Sequence, residues 1–269
     1  MSAGADPTPP IITGAATALD HLVVAAASLS QGVAWCEATL GTTPGPGGRH
    51  ALMGTHNRLC RIDGPVHGPT FANVYLEIIA IDPEAPAPGR PRWFGLDEPA
   101  LQARIAHTPE LVHLVARSAM LDMHRWGLIT VGQQPGNPVK AGRDTPQGRL
   151  EWQILLRDDG TLLCGGALPT LIQWAGPHPT QAMPPSGVAL QSLQLSGVPP
   201  RAREVLRLRG VQHTDTGPAL RAVLGTPKGE VVLATVPGAG RQAPATSPDQ
   251  ASPHGTGFAG PLGDGPLAG

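Results

Sequence analysis

An acidic residue, Glu77, stands in the middle of the apolar run VYLEIIAIDP. Its neighbours are typical of a buried strand, and removing an ionised carboxylate from water is costly unless a partner compensates the charge. The sequence therefore predicts that another group contacts Glu77, that its carboxyl group is protonated, or that this run is not a buried strand.

An internal repeat identifies candidate partners for Glu77. The run DHLVVAAASL aligns with VHLVARSAML, which sets His21 against His113. The run LEIIAIDP aligns with IQWAGPHP, which sets Glu77 against Gln173. Because the two alignments have nearly the same spacing, they predict a duplicated fold in which these four residues occupy equivalent positions.

Each repeat is predicted to contain a strand, a helix and three further strands. The strands expected in the first repeat are ALDHLVVAA, RHALMG, NRLCRID and VYLEIIAI, with GTTPGPGG as a turn-rich connection. Its helix, SLSQGVAWCEATLG, has Ser28 or Ser30 as a cap and ends at Gly41. In the second repeat a short helix is expected near 119–126. The strands expected there are ELVHLVARS, GLITVG, GRLEWQILL and LLCGGALPTLIQW.

These patterns predict an α+β fold with two βαβββ modules and a partial βαββ unit at the C-terminus. The expected divisions are 17–83 for the first module, 84–109 for a connector, 110–180 for the second module and 186–236 for the partial unit. Residues 1–14 and 237–269 are rich in Gly and Pro, and they hold too few apolar side chains to offset chain entropy. Both ends are expected to be disordered.

The composition argues against several function classes. The net charge is −1 and no run of Lys or Arg stands out, which argues against binding to nucleic acid or to an anionic membrane. The three cysteines have no short spacing, which is typical of a reducing compartment. No apolar run approaches the roughly 20 residues of a membrane helix, and the first residues do not resemble a signal peptide. We therefore expect a soluble, cytoplasmic protein.

Five motifs carry a family likeness: in chain order they are LDHLVVAA, WCEATLG, GGRHALMGTHNRL, YLEIIAIDP and RPRWFGLD. Together they resemble the glyoxalase-like domain proteins, a bacterial group within the vicinal oxygen chelate superfamily, over residues 17–235. The resemblance implies that the two modules lie side by side and that their strands curve into an open cup. It also implies that divalent metal ligands come from the first and last strands of each module.

At the matching positions of this sequence, the implied metal ligands are His21, Glu77, His113 and Gln173. Two histidines and a carboxylate suit Zn, Ni, Co, Mn or Fe, and the ion would give Glu77 its cationic partner. Gln173 departs from the commonest pattern, which has a glutamate there, so a three-ligand site is equally compatible. Structural interpretations also exist, such as a hydrogen-bonded strand histidine or a buried ion pair between Glu77 and Arg58.

A second polar cluster lies on the hairpin that follows the first helix. His50 or His56 is the expected catalytic residue, because histidine carries protons near neutral pH. Arg58 and Asn57 are expected to contact the substrate, Arg58 through a carboxylate or carbonyl oxygen. Simple turn chemistry is the structural interpretation of Asn57.

The connector motif RPRWFGLD has two interpretations. As a lid, it would cover the mouth of the cup with Trp93 and Phe94 and turn Arg92 toward a substrate. As a packed segment, it would bury both aromatic rings. This arrangement is favoured because the burial of a large aromatic ring removes much apolar surface from water.

The resemblance implies an enzyme that chelates a small oxygenated substrate through its oxygens on a divalent ion. The ion would stabilise an oxyanion while a histidine moves a proton, which is the chemistry of a lyase or isomerase. An extradiol-type iron dioxygenase would use the same ligands. The sequence is also compatible with a metal-free protein that sequesters a small molecule, and with a decayed site kept for dimer assembly. Superfamily members often pair, so the resemblance is compatible with a homodimer, while the sequence leaves the oligomeric state open.

Overall fold

The computed structural model describes residues 15–64, 71–146 and 148–236. The expectations of disorder at 1–14 and 237–269 lie outside these ranges. The first repeat contains β1 (Ala18–Ala25), α1 (Leu29–Leu40), β2 (Gly45–His50), β3 (Thr55–Arg61) and β4 (Tyr75–Ile81). Helix α1 begins after Ser28, whose side chain accepts a hydrogen bond from the backbone of Gln31, and it ends at Gly41 in the left-handed region.

The second repeat follows a connector that contains helix α2 (Pro99–Ile105). Its elements are β5 (Glu110–Arg117), α3 (Leu121–Thr130), β6 (Asn137–Thr145), β7 (Gly148–Leu156) and β8 (Thr170–Trp174). The C-terminal unit contains β9 (Ala189–Ser196), α4 (Pro200–Leu206), β10 (Val211–Thr214), β11 (Leu220–Thr226) and β12 (Gly229–Ala234). The predicted α+β fold is confirmed.

Three strand predictions were wrong in their boundaries. In the run LLCGGALPTLIQW only Thr170–Trp174 form a strand, β8, and Leu163–Gly166 form a 3-10 helix. The run GLITVG belongs mainly to helix α3, because Leu121, His124 and Leu128 recur at helical spacing and are all buried. The strand expected there is β6, whose residues alternate between exposed and half-buried positions. Strand β2 begins inside the segment that was expected to be a turn. Glycine and proline are tolerated in it because β2 is an edge strand that pairs only with β3.

Both repeats contribute to one curved sheet of eight strands, in the order β2-β3-β4-β1-β5-β8-β7-β6. The central pair, β1 and β5, is antiparallel and joins the two repeats. Each first strand is parallel to the last strand of its own repeat, β1 to β4 and β5 to β8. The two edges of the sheet approach each other, because Arg143 of β6 reaches Asn57 of β3 and lies against Gly48 of β2.

The two faces of this sheet belong to different apolar clusters. On the concave face, Val115 and Ile154 pack with Trp93 and Phe94 of the connector, which are almost fully buried. The connector is therefore packed into the cup, as the sequence favoured. On the convex face, strand residues pack against α1, α3 and the C-terminal unit in the larger cluster.

The C-terminal unit has one more strand than was predicted, the short strand β10. Its sheet has the order β10-β9-β11-β12, in which β9 is parallel to β10. In the cup, by contrast, the first strand of each repeat is parallel to the last. The third unit thus resembles the repeats in element order but not in strand pairing. In the described part of the chain, no helix has the length and apolar character needed to cross a membrane.

Candidate functional site

Three of the four expected metal ligands project from the concave face of the cup. Val23 in β1 pairs with Glu77 in β4 on one side and with His113 in β5 on the other. Paired residues share a face of a sheet, and His21 lies two residues before Val23 on the same face. His21 and Glu77 are each 5% exposed and His113 is 1% exposed.

The fourth expected ligand, Gln173, lies on the opposite face. In β8, Ile172 pairs with Arg117, which lies on the concave face like His113. Because side chains alternate along a strand, Gln173 points to the convex face. The Gln173 side chain accepts a hydrogen bond from the backbone N–H of Leu121 at 3.1 Å, at the start of α3. The structure therefore does not bring Gln173 to the other three, because strand alternation turns it toward the helix.

A bulge in β1 adds a carboxylate to the concave face. Leu19 and His21 pair with consecutive residues of β5, which leaves Asp20 as an extra residue, and bulges commonly redirect side chains next to sites. Asp20 Oδ1 accepts a hydrogen bond from His21 Nδ1 at 2.7 Å. Its Oδ2 accepts from Trp174 Nε1 at 2.9 Å and from His178 Nε2 at 3.0 Å. Asp20 thus fixes the ring of His21.

The partner that the sequence required for Glu77 is His21. Glu77 Oε2 lies 3.5 Å from His21 Nε2, and Glu77 Oε1 accepts a hydrogen bond from Asn57 Nδ2 at 2.5 Å. His50 Nε2 is 4.0 Å from Oε1. Arg58, the partner considered in the structural interpretation, lies on the other face of β3, because it alternates with Asn57.

Charge pairing keeps both His21 and Glu77 ionised despite their burial. Burial raises the pKa of Glu77, but hydrogen bonds from His21 and Asn57 and the charge of His21 outweigh it and hold the pKa at about 2. Burial lowers the pKa of His21, but the hydrogen bonds to Asp20 and Glu77 outweigh it and raise the pKa to about 9. At neutral pH an imidazolium therefore lies between two carboxylates.

Asn57 connects this ion pair to the far edge of the cup. Its Oδ1 accepts hydrogen bonds from the backbone N–H of Gly48 at 2.7 Å and from Arg143 Nη1 at 3.4 Å. These two donors orient the amide so that Nδ2 faces Glu77 and also His50, whose Nε2 is 3.3 Å away. A Cβ on Gly47 would lie 2.1 Å from the Asn57 carbonyl oxygen, so only glycine fits there.

Of the two histidines expected to move a proton, only His50 lies in this cluster. Its Nδ1 contacts Thr55 Oγ1 at 3.0 Å, and its ring stands edge-on to Trp93. Burial lowers the pKa of His50 to about 4, so the ring is neutral at pH 7. His56 alternates to the other face of β3, where its Nδ1 is 3.8 Å from Asp82.

Arg92 does not reach the cluster either. Its guanidinium donates a hydrogen bond to Asp97 Oδ1 at 2.7 Å, and its backbone N–H donates to the other oxygen of Asp97. The structure therefore brings together His21, His50, Asn57 and Glu77. It does not bring in His56, Arg58, Arg92 or Gln173.

His113 shares the concave face but both of its ring nitrogens are occupied. Its Nδ1 donates to the Gly166 carbonyl oxygen at 2.9 Å, and its Nε2 accepts from the backbone N–H of Thr170 at 3.1 Å. Burial lowers the pKa of His113 to about 3, so the ring is neutral. Val23 separates it from Glu77 across the sheet. His113 is thus a hydrogen-bonded core histidine.

These residues do not fit the four-ligand metal site that the resemblance implied. Gln173 faces away, and His113 has no free ring nitrogen to offer an ion. Within residues 15–64, 71–146 and 148–236, no three His, Cys, Asp or Glu side chains are grouped so as to hold a metal ion.

A cleft of about 560 Å³ opens beside the cluster, between the β2–β3 and β6–β7 hairpins and the segment 177–186. Its described lining includes the apolar side chains of Leu59 and Leu150 and no acidic residue. Leu59 pairs in register with Glu77, so the inner end of the cleft lies beside the buried carboxylate. The cationic or ionisable residues that line it are Arg61, Arg143, Arg149 and His178.

Sequence reasoning missed Asp20, Arg143, Trp174 and His178. Asp20 stands directly before His21, and its position in the motif LDH was the only signal for it. Arg143 belongs to a polar hairpin that carries no local sign of a site. Trp174 and His178 lie within the aligned run IQWAGPHP, but the repeat drew attention to Gln173 instead.

The chain is similar to several solved structures, of which the first described here shares its fold. A crystal structure of a hypothetical protein from Staphylococcus aureus matches with a TM-score of 0.52 and 13% identity, over 81% of this chain and 88% of that one. A methylmalonyl-CoA epimerase from Streptomyces coelicolor matches with a TM-score of 0.36 and 16% identity, over 60% and 97% of the two chains. The methylmalonyl-CoA epimerase from Mycobacterium tuberculosis matches with a TM-score of 0.34 and 19% identity, over 61% of this chain and 91% of that one.

The family comparison covers most of the chain. The model of the glyoxalase-like domain family matches residues 19–208, which include both repeats of the cup and the first strand and helix of the C-terminal unit. The resemblance read from the five motifs is confirmed, and this protein belongs to the glyoxalase-like domain family.

Proposed function

We propose that this protein is a glyoxalase-like lyase or isomerase that binds a small oxygenated substrate in the cleft and moves a proton on it. The observation that carries the proposal is the buried cluster beside the cleft, which Arg143 of the cleft lining contacts through Asn57. Glu77 is held ionised there, and the neutral ring of His50 stands beside it. A fixed carboxylate next to a neutral histidine is a common arrangement for general base catalysis.

In this proposal His50 accepts the proton from the substrate. Its Nε2 lies 4.0 Å from Glu77 Oε1, and the charge of Glu77 favours the imidazolium that forms. His21 and Asn57 hold the carboxylate in place, and Asp20 holds His21. His56, the other histidine of the hairpin, has no part because it faces away from the cup.

No step of the proposal uses a metal ion, since the four-ligand set is not assembled. An extradiol-type iron dioxygenase would need His113 as a ligand, and the two hydrogen bonds of its ring argue against that role.

The second candidate function is metal-free binding of a small molecule. It is favoured by the packing of the cup, where Trp93 and Phe94 fill much of the concave face. The hydrogen bonds within the cluster also satisfy Asn57 and Asp20 without a ligand. Packed rings and satisfied hydrogen bonds are what we expect of an ion-pair network that stabilises the fold beside a binding cleft.

Solvent deuterium exchange distinguishes the two functions. Pyruvate, hydroxyacetone and dihydroxyacetone are incubated with the protein in D₂O, and loss of the proton beside the carbonyl group is followed by ¹H NMR. The wild-type protein is expected to accelerate exchange of at least one probe, and His50→Gln to slow it by about 100-fold or more.

His56→Gln is the matched control, because it removes a histidine from the same strand pair on the opposite face. It is expected to retain the wild-type rate within about threefold. Equal rates in wild type and His50→Gln would contradict the role of His50. Binding of a probe without exchange would support the second candidate function.

A further inference from the structure

We infer that Arg143 binds a negatively charged group of the substrate, so that the protein acts on small organic acids rather than on neutral carbonyl compounds. This inference rests on the proposed function of the same cleft. Arg143 comes from β6, in the second repeat, and its guanidinium reaches across the mouth of the cup to Asn57, in the first. It therefore lies where the cleft meets the buried cluster.

The charge of Arg143 has no carboxylate partner within the described ranges, in contrast to its neighbours in the cleft. Arg61 pairs with Asp63 at 2.6 Å, and Arg149 pairs with Asp144 and Glu151 at about 3 Å. Arg143 contacts the neutral amide oxygen of Asn57 at 3.4 Å, a long hydrogen bond. A half-buried guanidinium without a counterion favours an anionic ligand that supplies one.

The backbone beneath Arg143 is shaped to hold it. A Cβ on Gly48 would lie 2.2 Å from Arg143 Nη1 and 2.8 Å from its Cδ, so the side chain rests directly on the glycine backbone. Gly48 also donates its backbone N–H to Asn57, which Arg143 contacts from the other side. The guanidinium is thus oriented from two sides, while the described lining of the cleft offers it no competing carboxylate.

The position of Arg143 also limits the size and shape of the substrate. One amide group, that of Asn57, separates the guanidinium from Glu77 and His50. A carboxylate held by Arg143 would place its adjacent carbon, rather than a distant one, toward the histidine. Leu59, Leu150 and Met183 line the same cleft and suit an apolar substituent. The substrate class is therefore a 2-hydroxy carboxylate that has a hydrogen on its second carbon and an apolar substituent.

Mandelate and mandelamide provide a matched pair of probes, since they differ only in the charge of the acid group. We expect isothermal titration calorimetry to show that the wild-type protein binds mandelate at least about 10-fold more tightly than mandelamide. Arg143→Gln is expected to weaken mandelate binding by about 10- to 100-fold and to leave mandelamide binding within about threefold. The affinity of Arg143→Lys for mandelate should lie between those of the wild type and Arg143→Gln, because lysine keeps the charge but lacks the planar guanidinium.

Arg149→Gln is the control for general electrostatics. It removes the same charge from the same cleft, but its arginine is already paired, so mandelate binding should fall less than about threefold. Equal losses in the Arg143→Gln and Arg149→Gln variants would overturn the inference, as would equal binding of the two probes or no binding of mandelate to the wild-type protein. Melting curves of each variant establish that it is folded.

The exchange assay separates this inference from the proposed function. If mandelate binds through Arg143 but no probe exchanges a proton, the proposed function fails and the anion site stands. If protons exchange while mandelate and mandelamide bind equally, the anion site alone fails.

Discussion

The two repeats of the cup share their strand pairing but use their matched polar residues in opposite ways. In the first repeat, His21 and Glu77 form a buried ion pair that Asp20 and Asn57 extend. In the second repeat, His113 is neutral and hydrogen-bonded to nearby backbone groups. Gln173, the residue that matches Glu77, lies on the opposite face of the sheet. A duplicated fold can therefore keep its sheet while only one copy keeps an ionic site.

The difference between the repeats has a local cause. The bulge at Asp20 turns an extra carboxylate toward His21, and this carboxylate holds the imidazolium form. In the second repeat, the Gly166 carbonyl group and the backbone N–H of Thr170, at the start of β8, contact His113 instead. A carboxylate neighbour stabilises a charged ring, and burial among neutral groups stabilises an uncharged one.

The largest expected difference comes from removing the matched acidic and amide side chains. Glu77→Ala removes one of the two carboxylates that contact the buried His21 and also the acceptor of Asn57, so the free energy of unfolding should fall by about 3 kcal/mol. Gln173→Ala removes one hydrogen bond to the start of α3, and about 1 kcal/mol should be lost. Urea denaturation of both variants checks this, and equal losses would show that the two repeats do not differ as described.

The two matched histidines, His21 and His113, should contribute to the pH dependence of stability with opposite signs. His21 has a folded pKa raised to about 9, so its contribution is present below pH 6.5 and is lost as pH rises from 6.5 toward 9. His113 has a folded pKa lowered to about 3, so its contribution is present above pH 6.5 and is lost as pH falls toward 3. At about 1.4 kcal/mol per pKa unit, each contribution should be on the order of 3–5 kcal/mol.

Denaturant midpoints measured from pH 4 to pH 9 test this prediction. His21→Asn should flatten the alkaline side of the stability curve, and His113→Asn should flatten the acidic side. If both variants changed the same side of the curve, the assignment of one charged and one neutral histidine would be wrong.

The smallest expected difference concerns the helices of the two repeats. Helix α1 has a capping hydrogen bond from Ser28, whereas Met120 at the start of α3 makes no side-chain cap. Ser28→Ala should therefore lower the free energy of unfolding by about 1 kcal/mol, and Met120→Ala should change it by less than about 0.5 kcal/mol. Thermal denaturation of the two variants measures the contrast, and a larger loss at Met120 would contradict it.

Much of the cup could be predicted because its signals are local. The apolar run around Glu77 indicated a strand, and the charge within it indicated a partner. The repeat located His21 as a fellow ligand of a metal ion, whereas in the structure the ring of His21 is itself the partner of Glu77. Period-two alternation in β3 could also have shown that His56 and Asn57 face opposite sides, so that only one of them reaches the cup.

The remaining features depend on tertiary contacts that leave no local pattern. The alignment that matched Glu77 with Gln173 ignored strand alternation, which places Trp174 on the concave side instead. The bulge at Asp20 becomes visible only in the pairing of β1 with β5. Arg143 reaches the site because the sheet curves until its two edges meet, and nothing in the β6 sequence indicates that curvature.

Gly48 and Arg143 are far apart in the sequence, but the arginine side chain lies directly against the glycine backbone. A Cβ at residue 48 would lie 2.2 Å from Arg143 Nη1, so the arginine would have to move from its present position if a side chain replaced the glycine. We expect relatives of this protein to change these two positions together. Those with a side chain at 48 should carry a short residue at 143, and with it a preference for uncharged substrates.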